Sequence, residues 1–143
     1  MPAESVPDFP QVPEDVRALL RERIESYEQL EMLFALRNDR REQTAAALSA
    51  RFGIDRTLAQ SALAELQTHG LAQARGRGAE PRYVYAPASA ALEEAVSRLA
   101  RLYVEQPIAV LRILSTNAIE RVRTGALRAF ADAFILRKGK DRG

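Results

Sequence analysis

The chain has 143 residues, of which 47% are apolar and 28% charged, and its net charge is only +2. This length and balance predict one soluble globular domain with its own core, and no apolar run is long enough to span a membrane. The absence of cysteine excludes a disulfide framework, thiol catalysis and cysteine-bound metal. The chain starts with acids and prolines where a secretory signal needs basic and apolar residues, so a cytoplasmic protein is expected.

The charges are unevenly distributed along the chain. The first 43 residues carry ten acidic and six basic side chains, whereas residues 44–87 carry three and five, and residues 88–143 carry six and ten. An acidic first third and a basic remainder permit a nucleic-acid partner without requiring one.

The N-terminal third predicts an arm followed by one helix. Residues 1–12 contain three of the seven prolines and show no periodicity, so we expect a disordered arm. Pro13 suits the first position of a helix, with Glu14 and Asp15 at its positive end. One apolar stripe at spacings of three and four then predicts a helix to about Arg37: Val16, Leu20, Ile24, Tyr27, Leu30 and Phe34. Residues 13–43 therefore form an N-terminal helical segment.

The next segment predicts two helices joined by a short turn. Thr44 is a candidate N-cap and Gly53 a stop for the first helix. Asp55 caps the second helix, which ends at His69-Gly70. The predicted inner face of that second helix consists of Ala59, Ala62, Leu63 and Leu66. Two helices so closely connected pack at a steep angle, which is the helix-turn-helix arrangement.

A β-hairpin is predicted after the helix pair. The segments "LAQAR" and "RYVYA" flank "GRGAEP", whose glycines suit a tight turn. A helix pair followed by a hairpin is a winged helix, and the absence of βαβ alternation argues against a nucleotide-binding α/β fold. The predicted fold is therefore mainly α, with a winged helix-turn-helix at residues 44–87 and helices on both sides.

The C-terminal part predicts further helices and a dimer interface. Ser89 starts a helix, Pro107 ends or kinks it, and Asn117 with Glu120 matches a capping box for a last helix. The predicted apolar faces are Leu92, Val96, Leu99 and Tyr103 in the first of these helices, and Ile119, Val122, Ala126, Phe130 and Ala133 in the last. We assign residues 88–138 to a dimerisation segment, with Val122, Ala126 and Phe130 at the interface centre, and residues 139–143 to a frayed tail.

The segment "TAAALSARFGIDRTLAQSALAELQTHGLAQ" resembles winged helix-turn-helix regulators of bacteria. The resemblance covers about residues 44–87 and rests on the spacing of Leu48, Gly53, Leu63, Leu66, Gly70 and Leu71. The overall plan is similar to that of MarR-type repressors, with an N-terminal helix before the DNA-binding unit and helices after it. The resemblance implies a homodimer that places two recognition helices on duplex DNA.

The resemblance also implies which side chains contact DNA. The helix from Arg56 would lie in the major groove, where arginine pairs with guanine and glutamine with adenine. The wing tip would reach the minor groove or a phosphate. The candidate contacts are Thr44, Arg56, Thr57, Gln60, Ser61, Arg75, Arg77 and Arg82. The alternative is that these are ordinary polar residues on a solvated helix face and hairpin tip.

Other conspicuous residues favour structural roles. Leu58 should point partly outward; we interpret it as packing, with a thymine methyl or a protein partner as alternatives. Tyr83 and Tyr85 share one strand face and are expected to pack against the recognition helix rather than stack on bases. His69, the only histidine, precedes a capping glycine, so a structural role is expected.

No catalytic constellation, metal site or cofactor motif is apparent, so we do not expect an enzyme. The sequence favours a cytoplasmic DNA-binding transcriptional regulator that acts as a homodimer, whose partners are double-stranded DNA and a second copy of the chain. The alternative is a winged-helix protein–protein interaction module without DNA binding. A small-molecule effector is left open.

Overall fold

The computed structural model describes residues 12–76 and 78–141, with side chains described as far as Ile135. The helices of this part of the chain are α1 (Glu14–Glu22), α2 (Tyr27–Asp39), α3 (Ala45–Phe52), α4 (Arg56–Thr68), α5 (Ala90–Glu105) and α6 (Pro107–Asp141). The strands are β1 (Gln43–Thr44), β2 (Ala72–Arg75) and β3 (Arg82–Tyr85). The molecule is therefore mainly helical with one small sheet, as the sequence predicts.

The prediction of a single N-terminal helix was wrong, because a turn at residues 23–26 separates α1 from α2. The Ser26 side chain accepts a hydrogen bond from the Gln29 backbone N–H at 3.1 Å, and Gln29 Oε1 accepts one from the Glu25 N–H at 2.8 Å. This reciprocal bonding resembles a capping box and starts a new helix. Ile24 stays fully buried inside the turn, so the apolar spacing continues although the helix does not.

The boundaries at the start of the described chain also differ slightly from expectation. Pro13 is the N-cap of α1 rather than its first residue. Val12, the last residue of the predicted disordered arm, is buried in the core. The rest of that arm, residues 1–11, lies outside the described residues.

The helix-turn-helix forms as predicted, because its boundaries are set by local capping. The Thr44 side chain accepts a hydrogen bond from the Ala47 N–H at 3.1 Å. Gly53 ends α3 at φ 65°, a left-handed conformation that side chains with a Cβ rarely adopt. The Asp55 carboxylate accepts hydrogen bonds from the N–H groups of Thr57 and Leu58, which starts α4.

The sheet is antiparallel in the order β1-β3-β2. The hairpin of β2 and β3 is the predicted wing, and Arg75 lies opposite Arg82 in its register. Strand β1 was not predicted; it is only two residues long and places Thr44 opposite Arg82 on the other side of β3. This sheet completes a winged helix-turn-helix.

One core joins the winged helix to the helices on both sides of it. Fully buried side chains come from α1, α2, α4, α5 and the first turns of α6, for example Leu20, Leu33, Leu66, Val96 and Val110. The capping prediction at Ser89 is confirmed, and Pro107 does separate α5 from α6. Val96 and Leu99 are buried as predicted, whereas Leu92 and Tyr103 are partly buried.

The last helix is longer than predicted. Asn117 does not start a helix; α6 runs without interruption from Pro107 to Asp141. The Asn117 side chain donates a hydrogen bond to the Leu20 carbonyl at 3.2 Å, so it binds α1 rather than capping. The helix also includes residues 139–141 of the predicted frayed tail, and residues 142–143 lie outside the described chain. Within the described residues, none of the helices is long and apolar enough to cross a membrane.

Candidate nucleic-acid interface

The first two turns of α4 present a polar face to solvent. Arg56, Thr57, Gln60 and Ser61 are all exposed. The opposite face is buried as predicted and consists of Ala59, Ala62, Leu63 and Leu66. That buried face packs on α2 and α3, which leaves the opposite face of the N-terminal half of α4 in solvent. Arginine and glutamine on this half have the hydrogen-bonding groups that read guanine and adenine edges.

Thr44 lies beside this face at the start of α3. Its hydroxyl oxygen accepts the capping hydrogen bond from Ala47. The hydroxyl proton is a separate donor, which a phosphate oxygen can accept. The predicted contact at Thr44 is therefore compatible with its capping role.

The tip of the wing is shaped by a glycine and an arginine. Gly76 has φ 91°, and the Arg82 guanidinium lies 3.1 Å from the position that a Cβ on Gly76 would occupy. A larger residue at position 76 would therefore be strained and would also displace Arg82. Arg77 lies outside the described residues, so its predicted contact has no structural counterpart here.

The three described arginines of the candidate interface are held by two carboxylates. Glu42 lies 3.4 Å from Arg82 Nε and 4.0 Å from Arg75 Nη1. Glu80 lies 3.0 Å from Arg56 Nη2 and also accepts a hydrogen bond from the Ala46 N–H at 3.3 Å. Sequence reasoning missed both glutamates, because only the strand register and the fold of the hairpin bring them to these arginines.

Leu58 does not pack in the core of the described chain. Its side chain is 42% exposed on the same face as the candidate DNA contacts, so the packing interpretation was wrong. A thymine methyl group or a protein partner remains as its expected contact.

We therefore expect Leu58→Ser to change the free energy of unfolding by less than about 1 kcal/mol, since substitutions of exposed side chains usually have small effects. Urea denaturation measures this change. The matched control is Leu63→Ser, which places a hydroxyl in the core and should cost several times more. Equal losses for the two variants would contradict the exposed position of Leu58.

The tyrosines of β3 are buried, as predicted. Tyr83 and Tyr85 are each 7% exposed, β3 packs mainly on α2, and the Arg40 guanidinium at the end of α2 lies over the Tyr85 ring. The Tyr85 hydroxyl donates a hydrogen bond to Glu93 Oε1 at 2.5 Å. Burial and this carboxylate raise the pKa of Tyr85 well above its usual range, and the bond from Tyr85 lowers the pKa of Glu93. The pair thus anchors the wing to α5.

This anchor predicts a pH-dependent stability. Since the pKa of Glu93 is lower in the folded chain than its ordinary value of 4.5, the pair stabilises the fold above that pH. The stabilisation is lost as the pH falls through the folded pKa. Tyr85→Phe should lower the free energy of unfolding at neutral pH by about 1–2 kcal/mol. The variant should also lose less stability than wild type between about pH 5 and pH 3.

Urea denaturation at a series of pH values measures both effects. Tyr103→Phe is the matched control, because its hydroxyl donates to Glu31 rather than to Glu93. Tyr103→Phe should still show the loss of folding stability at acidic pH that depends on Glu93. Parallel pH profiles for Tyr85→Phe and wild type would contradict this role of Glu93.

His69 has a structural role, as predicted. Its Nδ1 donates a hydrogen bond to the Arg23 carbonyl at 2.8 Å, and the Arg23 guanidinium donates to the His69 carbonyl. These bonds tie the turn after α1 to the end of α4. Among the described residues, no three His, Asp or Glu side chains converge in a way that would hold a metal ion.

The part of α6 beyond the core carries the predicted dimer residues. Val122 and Phe130 are 73% and 72% exposed, and Ala126 lies between them on the same side of the helix. Further large apolar side chains on the exposed parts of α6 are Ile119, Leu127, Phe134 and Ile135. No residue of the described part of the chain covers this surface.

The helix pair, the wing and the exposed half of α4 define a winged helix-turn-helix protein. The chain is similar to the homodimeric winged helix-turn-helix DNA-binding domain, a fragment of residues 1–100, of a possible ArsR-family transcriptional regulator from Mycobacterium bovis. The two are 22% identical with a TM-score of 0.50, over 65% of this chain and 82% of the other. No protein-family model and no curated protein matches the sequence. The similarity establishes the fold, and the MarR-type plan stays a prediction.

Proposed function

We propose that the chain is a cytoplasmic DNA-binding transcriptional regulator that acts as a homodimer. The helix α4 lies in the major groove, and the wing contacts the backbone or the minor groove. The observation that carries this proposal is the polar, solvent-facing N-terminal half of α4, placed directly beside a basic wing. A major groove admits one α-helix, and residues at the helix N-terminus reach the base edges.

The proposed contacts divide into two kinds. Gln60 on α4 carries sequence readout, because its side chain offers bidentate hydrogen bonds to adenine. Arg56 at the start of α4, Arg75 and Arg82 on the wing, and Thr44 at the start of α3 bind phosphates and set the position of α4. Arg77 is proposed to enter the minor groove from the wing tip. Phosphate contacts supply most of the affinity.

The proposed dimer interface is the exposed apolar face of α6, centred on Val122, Ala126 and Phe130. A helix of 35 residues is about 52 Å long, and among the described residues the buried side chains of α6 lie in its first turns. A second copy of α6 would bury this face. The structurally similar domain is homodimeric, which supports a dimer but does not indicate which helix forms its interface.

Selection of duplexes from a random-sequence DNA library tests the function directly. Binding of the purified protein to the selected duplex and to a scrambled duplex is then measured by fluorescence anisotropy. Enrichment of a two-fold symmetric sequence is the expected result, because a dimer reads two half-sites. Failure to enrich any sequence, with no salt-dependent binding to a duplex of random sequence, would contradict the proposal.

Gln60→Ala separates base readout from phosphate binding. The variant should bind the selected duplex about tenfold or more weakly, because a bidentate contact discriminates by about 1–3 kcal/mol. Its affinity for the scrambled duplex should not change. Gln67→Ala, at the exposed far end of the same helix, is the matched control and should leave both affinities intact. If Gln60→Ala and wild type bind the selected duplex with equal affinity, Gln60 does not contribute to base recognition.

The second candidate function is a protein-interaction module. It is favoured by one observation, the large exposed apolar side chain of Leu58 at the centre of the α4 face. A protein that binds no duplex at low salt, and whose stable complex with a partner protein is lost in Leu58→Ser, would support this alternative.

A further inference from the structure

The interface proposed for DNA carries two acidic side chains at the positions of its cations. Arg56 is paired with Glu80, and Arg75 and Arg82 are both paired with Glu42. Three positive charges are thereby reduced to a net charge of +1 in the free protein. A DNA phosphate can bind one of these arginines only where it displaces the carboxylate that is already paired with the guanidinium.

We propose that Glu42 and Glu80 are internal competitors of DNA phosphate, which the duplex must displace before the arginines can bind it. This inference rests on the proposed DNA-binding function. The two carboxylates hold the interface in a self-neutralised form and so weaken the electrostatic attraction that every duplex exerts, whatever its sequence. A duplex whose bases also contact Gln60 still gains the binding energy of those base contacts, which the two carboxylates do not affect.

The exposure of the ion pairs makes this displacement feasible. The side chains of Arg56, Arg75 and Arg82 are 55–57% exposed, and those of the two glutamates are about one-third exposed. Ion pairs in such positions are weak, because water and salt screen them. A phosphodiester brings charge from many neighbouring phosphates and releases counterions, which a single carboxylate does not. The phosphate therefore displaces the carboxylate at low salt, but the duplex binds with a lower affinity than it would if the carboxylates were absent.

The position of Glu80 strengthens the competition on α4. The same carboxylate oxygen that pairs with Arg56 also accepts the hydrogen bond from the Ala46 N–H near the start of α3. It thus binds a guanidinium and a backbone N–H together, as a phosphate oxygen does at a protein–DNA interface. Movement of Glu80 would release both donors at once.

A purely structural role makes the opposite prediction. Arg75 and Arg82 lie directly opposite each other across the hairpin, and Glu42 offsets their repulsion. Glu80 links the wing to the start of α3. If these were the only roles, removal of either carboxylate would loosen the wing and weaken the binding of DNA.

Glu42→Gln, Glu80→Gln and the double variant distinguish the two roles, because glutamine keeps the size of the side chain and removes its charge. Anisotropy titrations use one fixed duplex of unrelated sequence at several salt concentrations. Each substitution should raise the affinity at low salt about fivefold. Each should also steepen the slope of log affinity against log salt, by up to about 0.9 for every arginine released. Glu105→Gln, an exposed position at the end of α5, is the charge-matched control and should do neither.

Thermal melting of each variant accompanies the titrations, so that loss of folding is recognised separately. Tighter binding with a steeper slope in a folded variant supports the inference. Equal or weaker binding by folded Glu42→Gln and Glu80→Gln, while wild type binds the duplex, overturns the inference and leaves the proposed function intact. The absence of duplex binding by wild type and by every variant overturns the proposed function and the inference with it.

Discussion

Phe130→Asp should convert a dimer into a monomer and reduce the affinity for a two-fold symmetric duplex by about 100-fold or more. The Phe130 ring is 72% exposed in the single chain and lies between Ala126 and Phe134 along one side of α6. If a second copy covers this side, an aspartate there would be buried without a partner, which costs several kcal/mol. Each monomer would still present one α4, but the two half-sites would then bind independently.

Light scattering and analytical ultracentrifugation measure the assembly state. Thr124→Asp is the matched control, because Thr124 lies on α6 about 120° around the helix from Phe130 and is also exposed. It introduces the same charge and should remain dimeric. If wild type itself is monomeric at high micromolar concentration, the proposed α6 interface and the two-fold reading of DNA are both wrong.

The elements that the sequence predicts well are those whose boundaries depend on local chemistry. The N-caps Thr44 and Asp55 and the left-handed Gly53 determine α3 and α4 within a few residues, and the structure has these caps at the predicted positions. The hairpin likewise follows from its glycines and its alternating strand residues. Such signals need no knowledge of the rest of the fold.

The elements that the sequence predicts poorly are those decided by packing. Asn117 and Glu120 satisfy a capping-box pattern, but α6 continues through them while the Asn117 side chain binds the Leu20 carbonyl of α1. The break after α1 had a local signal in Ser26 and Gln29. The continuous apolar spacing concealed that signal, because Ile24 is buried in the turn just as it would be in a helix.

The electrostatics of the candidate site depend on contacts between segments far apart in the sequence. Glu42 meets Arg82 across the sheet, and Glu80 reaches Arg56 from the wing. Charge counts along the chain indicate a basic winged helix, whereas the folded surface is largely self-neutralised. The amino-acid sequence can therefore identify the candidate arginines of an interface, but it does not show how much of their positive charge is neutralised by carboxylates in the folded protein.

The double variant Arg56→Ala/Arg82→Ala should bind duplex DNA roughly 10- to 100-fold more weakly at low salt, and its salt slope should fall by at most about two units. Each alanine removes one proposed phosphate contact, which contributes up to about 0.9 to the slope. The first substitution leaves Glu80 without its arginine, and the second leaves Glu42 with only the longer contact of 4.0 Å to Arg75. The carboxylates then repel the phosphates, so the affinity should fall by more than the lost contacts alone account for.

Anisotropy titrations on one fixed duplex at several salt concentrations measure affinity and slope together. Arg101→Ala is the matched control, because Arg101 is an exposed arginine on α5, outside the winged helix, and its loss should leave the slope almost unchanged. The same two alanine substitutions in a Glu42→Gln/Glu80→Gln background isolate the repulsion. There the slope should fall by about two units relative to that background, which is more than in wild type, because no carboxylate competes for the arginines. The affinity should fall only by the loss of the two contacts, without the repulsion from the carboxylates. If the two alanine substitutions leave the slope of each background unchanged, neither arginine contacts a phosphate. The α4 face with Leu58 would then be better explained as a surface that binds protein.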